Sequence, residues 1–249
     1  MRKFIASTIM VIILTGTIVF LLSSCSFFVN QDHRAATKDN FTGNLVFKSI
    51  ETNPVSAESH YLMGCNFQKK KKHDWAIEEF QAAVSNNPAY VEAYNRLGVS
   101  YDLIGDFDKA MAAYRAALSV NPDLDYVHNN MGYSYLLQGQ YDLAAASFQK
   151  AIALNPEKSR YRNNLATAYV KSGQDSAAIA AFNTNNDEAK AHLKVARVLY
   201  HDGEYEKAEA YYKKAARLNP EDRQVEKELT AAENLAKINA HTETDDKTV

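Results

Sequence analysis

Residues 91–124 read VEAYNRLGVSYDLIGDFDKAMAAYRAALSVNPDL, and the skeleton of that stretch returns every 34 residues. Gly98 has counterparts at Gly64 and Gly132. Ala110 has them at Ala76, Ala144 and Ala178, Tyr114 at Phe80, Phe148 and Phe182, and Pro122 at Pro88 and Pro156. A fixed period of this length describes stacked supersecondary units, none of which buries its apolar face alone. Small residues at the eighth, twentieth and twenty-seventh positions let two antiparallel helices approach closely. The aromatics are expected to fill the space between one helix pair and the next. Gly105, Gly139, Gly173 and Gly203 stand where a first helix needs a left-handed terminator. Acidic residues then open the second helix, as in Asp106-Phe107-Asp108 and Glu204-Tyr205-Glu206, and suit its N-terminus. Asn-Pro pairs (87–88, 121–122, 155–156, 219–220) end the second helices.

Extended outward, this register gives five units: 57–90, 91–124, 125–158, 159–188 and 189–222. The fourth is broken. Asn185 stands where Ala is expected, no Pro follows, and the fifth unit resumes four residues early at Ala189. The pattern of bulky residue, Leu-Gly, aromatic, Ala, aromatic, Ala and Pro resembles the tetratricopeptide repeat. That resemblance implies an all-α fold, a right-handed α-solenoid of five helix pairs. Residues 223–240, apolar at Val225, Leu229, Ala232, Leu235, Ala236 and Ile238, read as the polar-faced capping helix a solenoid end requires; residues 241–249 read as a disordered tail.

The first residues carry an address. Arg2 and Lys3 precede an apolar run from Phe4 to Leu22, and Leu22-Ser23-Ser24-Cys25 resembles the bacterial lipobox. The resemblance implies a signal peptide over 1–24, cut before Cys25, with Cys25 acylated and inserted in a membrane. Ser26, in a position where Asp favours inner-membrane retention, points to the outer membrane and a periplasm-facing chain. An uncleaved signal anchor is the other reading of the apolar run. Residues 25–56 are polar and read as a flexible tether, about 30 Å in r.m.s. span. With Cys25 lipidated, Cys65 has no disulfide partner. The net charge of −2 gives no argument for nucleic acid. No His-Glu-x-x-His, phosphate-binding Gly loop or Gly-x-Ser-x-Gly occurs, so no catalytic residue, metal site or cofactor is expected. His60, His128 and His192 share the fourth repeat position and read as packing residues.

In the tetratricopeptide family the first helix of each repeat lines a concave groove through its second, fifth, sixth, ninth, twelfth and thirteenth positions. Carried onto this register, position five is Asn95, Asn129 and Asn163, and position six adds Asn130 and Asn164. Asn offers two donors and an acceptor, which suits clamping the main chain of an extended peptide. Tyr126 and Tyr133 offer apolar or stacking contact, and Arg96, Arg160, Lys171, Lys194 and Arg197 offer cations for acidic groups. Replacing Asn95, Asn129 and Asn163 by Ala is therefore expected to weaken partner capture while sparing the melting transition. Tyr211 and Tyr212 are candidates for pairing two solenoids. Lys69–Lys72, the one charge run, reads either as a contact for anionic headgroups or an acidic partner, or as a solvated turn in which Lys71 replaces the usual Gly.

The implied function is a membrane-anchored scaffold that binds a protein or peptide partner. Lipoproteins with this layout include Flp (tight adherence) pilus assembly factors of the TadD type and pilotins that deliver secretins. An adaptor for peptidoglycan hydrolases or synthases is the alternative.

Overall fold

Small side chains facing aromatic rings set the spacing of this array. A methyl group built on Gly64 would lie 2.6 Å from the Phe80 ring, on Gly98 2.5 Å from Tyr114, and on Gly132 2.7 Å from Phe148. All three rings are fully buried. Their tightest contact is thus within their own helix pair, rather than between one pair and the next as the sequence suggested. Ala76, Ala83, Ala110, Ala117, Ala144 and Ala151 are also fully buried, keeping the second helices close.

The computed structural model describes residues 55–183 and 185–245. Among them are eleven α-helices and no strand: α1 Ala57–Lys69, α2 His73–Asn86, α3 Val91–Leu103, α4 Phe107–Val120, α5 Asp125–Leu137, α6 Tyr141–Leu154, α7 Ser159–Lys171, α8 Asp175–Phe182, α9 Glu188–His201, α10 Tyr205–Leu218 and α11 Arg223–Asp245. Together they form an all-α solenoid of five helix pairs and a final helix. The leader, Cys25 and nearly all of the tether lie outside the described residues. No described helix is long and apolar enough to cross a membrane.

The punctuation works as its chemistry requires. Gly105, Gly139, Gly173 and Gly203 adopt φ between +72° and +82°, and Lys71 occupies the same place in the first pair at φ +58°. A left-handed L-residue costs about 1 kcal/mol or more, which Gly avoids. Asn87, Asn121, Asn155 and Asn219 cap the ends of α2, α4, α6 and α10. The broken fourth repeat gives an α8 of only eight residues, closed at Asn183.

Each second helix packs on the first helix of the next pair, and neighbouring first helices also touch. The first helices therefore line one side, called the groove here. Tyr161 Oη donates to Asp125 at 2.9 Å, and Gln81 and Gln149 donate to the hydroxyls of Tyr101 and Tyr169 in the following pair at 2.8 Å.

The last helix reaches Asp245, five residues past the boundary of 240 expected from sequence. It buries Val225, Ala232 and Ala236. Arg197 grips it with two hydrogen bonds of 2.8 Å to Glu228, a carboxylate that also accepts from Gln224 one turn earlier on the same helix. Tyr211 and Tyr212 belong to this packing and are buried, with Tyr211 Oη donating to Asp175 at 2.7 Å. Neither is presented for pairing two solenoids. The Arg197 guanidinium holds the Glu228 carboxyl below the ordinary value of 4.5. Its contribution is present above that value and is lost as pH falls through the lowered one. Acidifying from about pH 6 to about pH 3 should lower the melting temperature of the wild type more than that of Glu228→Gln, read by circular dichroism at 222 nm.

Candidate peptide-binding groove

Every repeat places its fifth and sixth positions on the groove side of its first helix, and the 34-residue step sets position six of one repeat beside position five of the one before. The asparagines use that proximity. Asn130 Nδ2 donates to Asn95 Oδ1 at 2.8 Å, and Asn164 Nδ2 donates to Asn129 Oδ1 at 2.8 Å. Lys194 Nζ continues the row by donating to Asn163 Oδ1 at 3.1 Å. The predicted asparagines do come together, but as rungs that tie repeat to repeat. Asn129, only 5% exposed, also donates to Asn130 Oδ1 at 3.3 Å.

The rungs leave part of the amide chemistry open. The Nδ2 groups of Asn95 and Asn163 donate to no side chain or carbonyl among the described residues, and Oδ1 of Asn164 accepts from none. A strand laid across α3, α5 and α7 would meet two free donors and one free acceptor.

A second row lies at positions twelve and ten. Gln68 Nε2 donates to Ser100 Oγ at 3.1 Å, and Ser134 Oγ donates to Asp102 Oδ1 at 2.7 Å. Tyr114 Oη donates to the other Asp102 oxygen at 2.7 Å. Burial raises the Asp102 pKa above the ordinary carboxyl value, with the Ser134 and Tyr114 hydroxyls acting against it.

Beside this row is a recess of about 160 Å³ lined by Val99, Asp102, Leu103, Tyr114, Asn130, Tyr133 and Leu137. Its rim is apolar and wet: Leu103 is 56% exposed, Tyr133 50% and Leu137 47%. An apolar cavity of about 150 Å³ accepts a benzene ring, so the recess suits one Leu- or Phe-sized side chain. The sequence reading singled out Tyr133 and Asn130 but missed Val99, Leu103 and Leu137. Positions nine and thirteen of adjoining repeats were the available signal, since both face the groove.

The cations differ in whether a carboxylate already holds them. Arg197 is held by Glu228, Lys171 by Asp202 at 2.6 Å, and Arg96 reaches Gln68 at 3.3 Å. Arg160, Lys190 and Lys194 have no carboxylate within 4.0 Å among the described residues. Arg160 lies over the Tyr161 ring at 5.7 Å. Burial and then the charge of Lys190 lower the Lys194 pKa, with Asp187 opposing. Tyr126 is partly buried against the core of the first repeats. The three repeat histidines pack: His60 bonds Glu79 at 2.6 Å, His128 meets the Pro122 carbonyl at 3.0 Å, and His192 stacks on Tyr211.

Models of the tetratricopeptide repeat match residues 57–90, 91–124, 126–158 and 189–222. Solved structures share the fold. A tetratricopeptide repeat protein from Parabacteroides merdae is 20% identical with a TM-score of 0.55, covering 78% of each chain. The structure of pilF from Pseudomonas aeruginosa is 23% identical with a TM-score of 0.52, covering 76% of this chain and 86% of that one. YrrB, described as a TPR protein with an unusual peptide-binding site, is 19% identical with a TM-score of 0.53, covering 74% and 95%. No curated protein gives a match to the chain.

Proposed function

We propose, for a chain that belongs to the tetratricopeptide-repeat family, that the groove of α3, α5 and α7 grips an extended segment of a partner protein. The observation that carries this reading is the wet apolar recess beside unspent asparagine donors. One apolar side chain of the segment fills the recess between Leu103, Tyr133 and Leu137. Its main chain accepts from Asn95 and Asn163 and donates to Asn164. An acidic residue further along meets Arg160, Lys190 or Lys194. Two helix spacings of about 10 Å separate recess from cations, so about six extended residues separate anchor and acid. YrrB, of the same fold, has a peptide-binding site, which makes a peptide the ligand class to test first. Capture of partners from envelope extract, with Tyr133→Ala as the loss variant, tests the groove.

The partner belongs, on this reading, to an envelope assembly, with a Flp or type IV-like pilus or a secretin complex as the leading class. Support comes from Leu22-Ser23-Ser24-Cys25, read as a lipobox ahead of a repeat scaffold. Acylation at Cys25 would moor the chain to the outer membrane on its periplasmic side. Mooring confines scaffold and partner to one surface and raises their effective concentration. Wild-type cells fed labelled palmitate should yield a labelled chain that sediments with membranes; Cys25→Ser should yield neither label nor cleavage. A labelled Cys25→Ser chain would reject the anchor.

A further inference from the structure

We propose that the turn of the first repeat, with Lys69–Lys72 and Trp75, is a docking surface that seats this end of the array on an anionic bilayer. The inference rests on the anchored reading above for the presence of a bilayer.

Four observations converge on that turn. Lys69, Lys70, Lys71 and Lys72 are all exposed, and none has a carboxylate within 4.0 Å among the described residues. Trp75, the one Trp of the sequence, is 58% exposed. The Lys72 ammonium stands 6.0 Å from the centre of its ring, and Phe67 backs it at 5.6 Å. Lys71 holds a left-handed conformation that Gly holds in the other four repeats. A cation is thus kept where the fold itself would be relieved by Gly.

An indole beside the Lys72 ammonium, on a turn with three further lysines, matches the headgroup layer, where Trp settles among glycerol and carbonyl groups and Lys pairs with lipid phosphates. The exposed acids nearest in sequence are Asp74 and Glu78 on α2; Glu79 is bound to His60. Four lysines outweigh them at the turn. The place in the chain also fits. Cys25 precedes the array, and the stretch 26–56 that follows it, which reads as a tether of roughly 30 Å span, enters at the first repeat. The acyl group and the basic turn therefore share one end of the sequence.

The single Trp makes the test direct. Full-length acylated protein is reconstituted into vesicles of phosphatidylcholine alone or with phosphatidylglycerol, and flotation and Trp75 emission are read on the same samples. The expected result is flotation with both, a blue shift and quenching by brominated lipid only with phosphatidylglycerol, and reversal by molar salt. Replacing all four lysines by Gln should lower the docked-to-undocked ratio roughly thousandfold while flotation persists. Flotation with unchanged Trp75 emission in phosphatidylglycerol overturns the docking and leaves the anchor standing. Failure to float overturns both. A blue shift with soluble polyglutamate but not with anionic vesicles assigns the turn to an acidic protein and overturns the lipid reading. So does a shift that survives in the Gln variant.

Discussion

Phe148→Ala destabilises the array by about 3–5 kcal/mol, the cost of deleting a fully buried aromatic that the backbone cannot follow. The ring lies over Gly132, where a single methyl group would stand 2.7 Å away. Ring and glycine are therefore one contact seen from two sides. Gly132→Ala alone gains helix propensity of up to about 1 kcal/mol but forces the ring aside, and overpacking of this kind costs about 1–3 kcal/mol. In the double variant the new methyl occupies part of the hole, so the two losses fall short of adding. Urea unfolding of the four proteins measures this as a coupling energy. Strict additivity would show that Gly132 and Phe148 do not set the helix spacing.

Leu103→Ser, Tyr133→Ala and Leu137→Ser together should weaken partner capture by about 2–4 kcal/mol, roughly 30- to 1000-fold, with melting close to wild type. These side chains are about half exposed, and exposed substitutions each change stability by about 0.5 kcal/mol or less. Alanine at Asn95, Asn129 and Asn163 makes a poorer test than the sequence suggested. Each of those carbonyls accepts a bond from the next repeat, and an abandoned buried donor costs about 1–3 kcal/mol. That variant should lose stability along with binding. The recess variant separates the two, because its side chains bond nothing across the array.

The register was legible because the residues that set it have no freedom. Gly64, Gly98 and Gly132 face rings, and the terminating glycines take positive φ, so composition at those positions follows from geometry. Even the exception, Lys71, could be located by the missing Gly. The asparagines were legible as a ladder, but their mutual bonding was not, since repeat spacing gives proximity without saying which amide group meets which. Leu103 and Leu137 stood at a groove-facing position, thirteen, yet their role was masked for a different reason. An apolar residue at helical spacing looks the same whether it is covered or wet, and only exposure separates them. The end of α11 escaped because no Gly or Pro interrupts 223–245, leaving nothing to mark a stop. Arg197 looked like a groove cation until the last helix placed Glu228 against it.

The claim that the groove side holds the partner is tested most directly by photocrosslinking in living cells. A photoreactive residue is placed at Tyr133 in the recess or at Leu143 on α6, which is equally exposed but lies on a second helix. The account predicts one discrete adduct from position 133, abolished by Leu103→Ser with Leu137→Ser, and none from position 143. An adduct from 143 with none from 133 would contradict it.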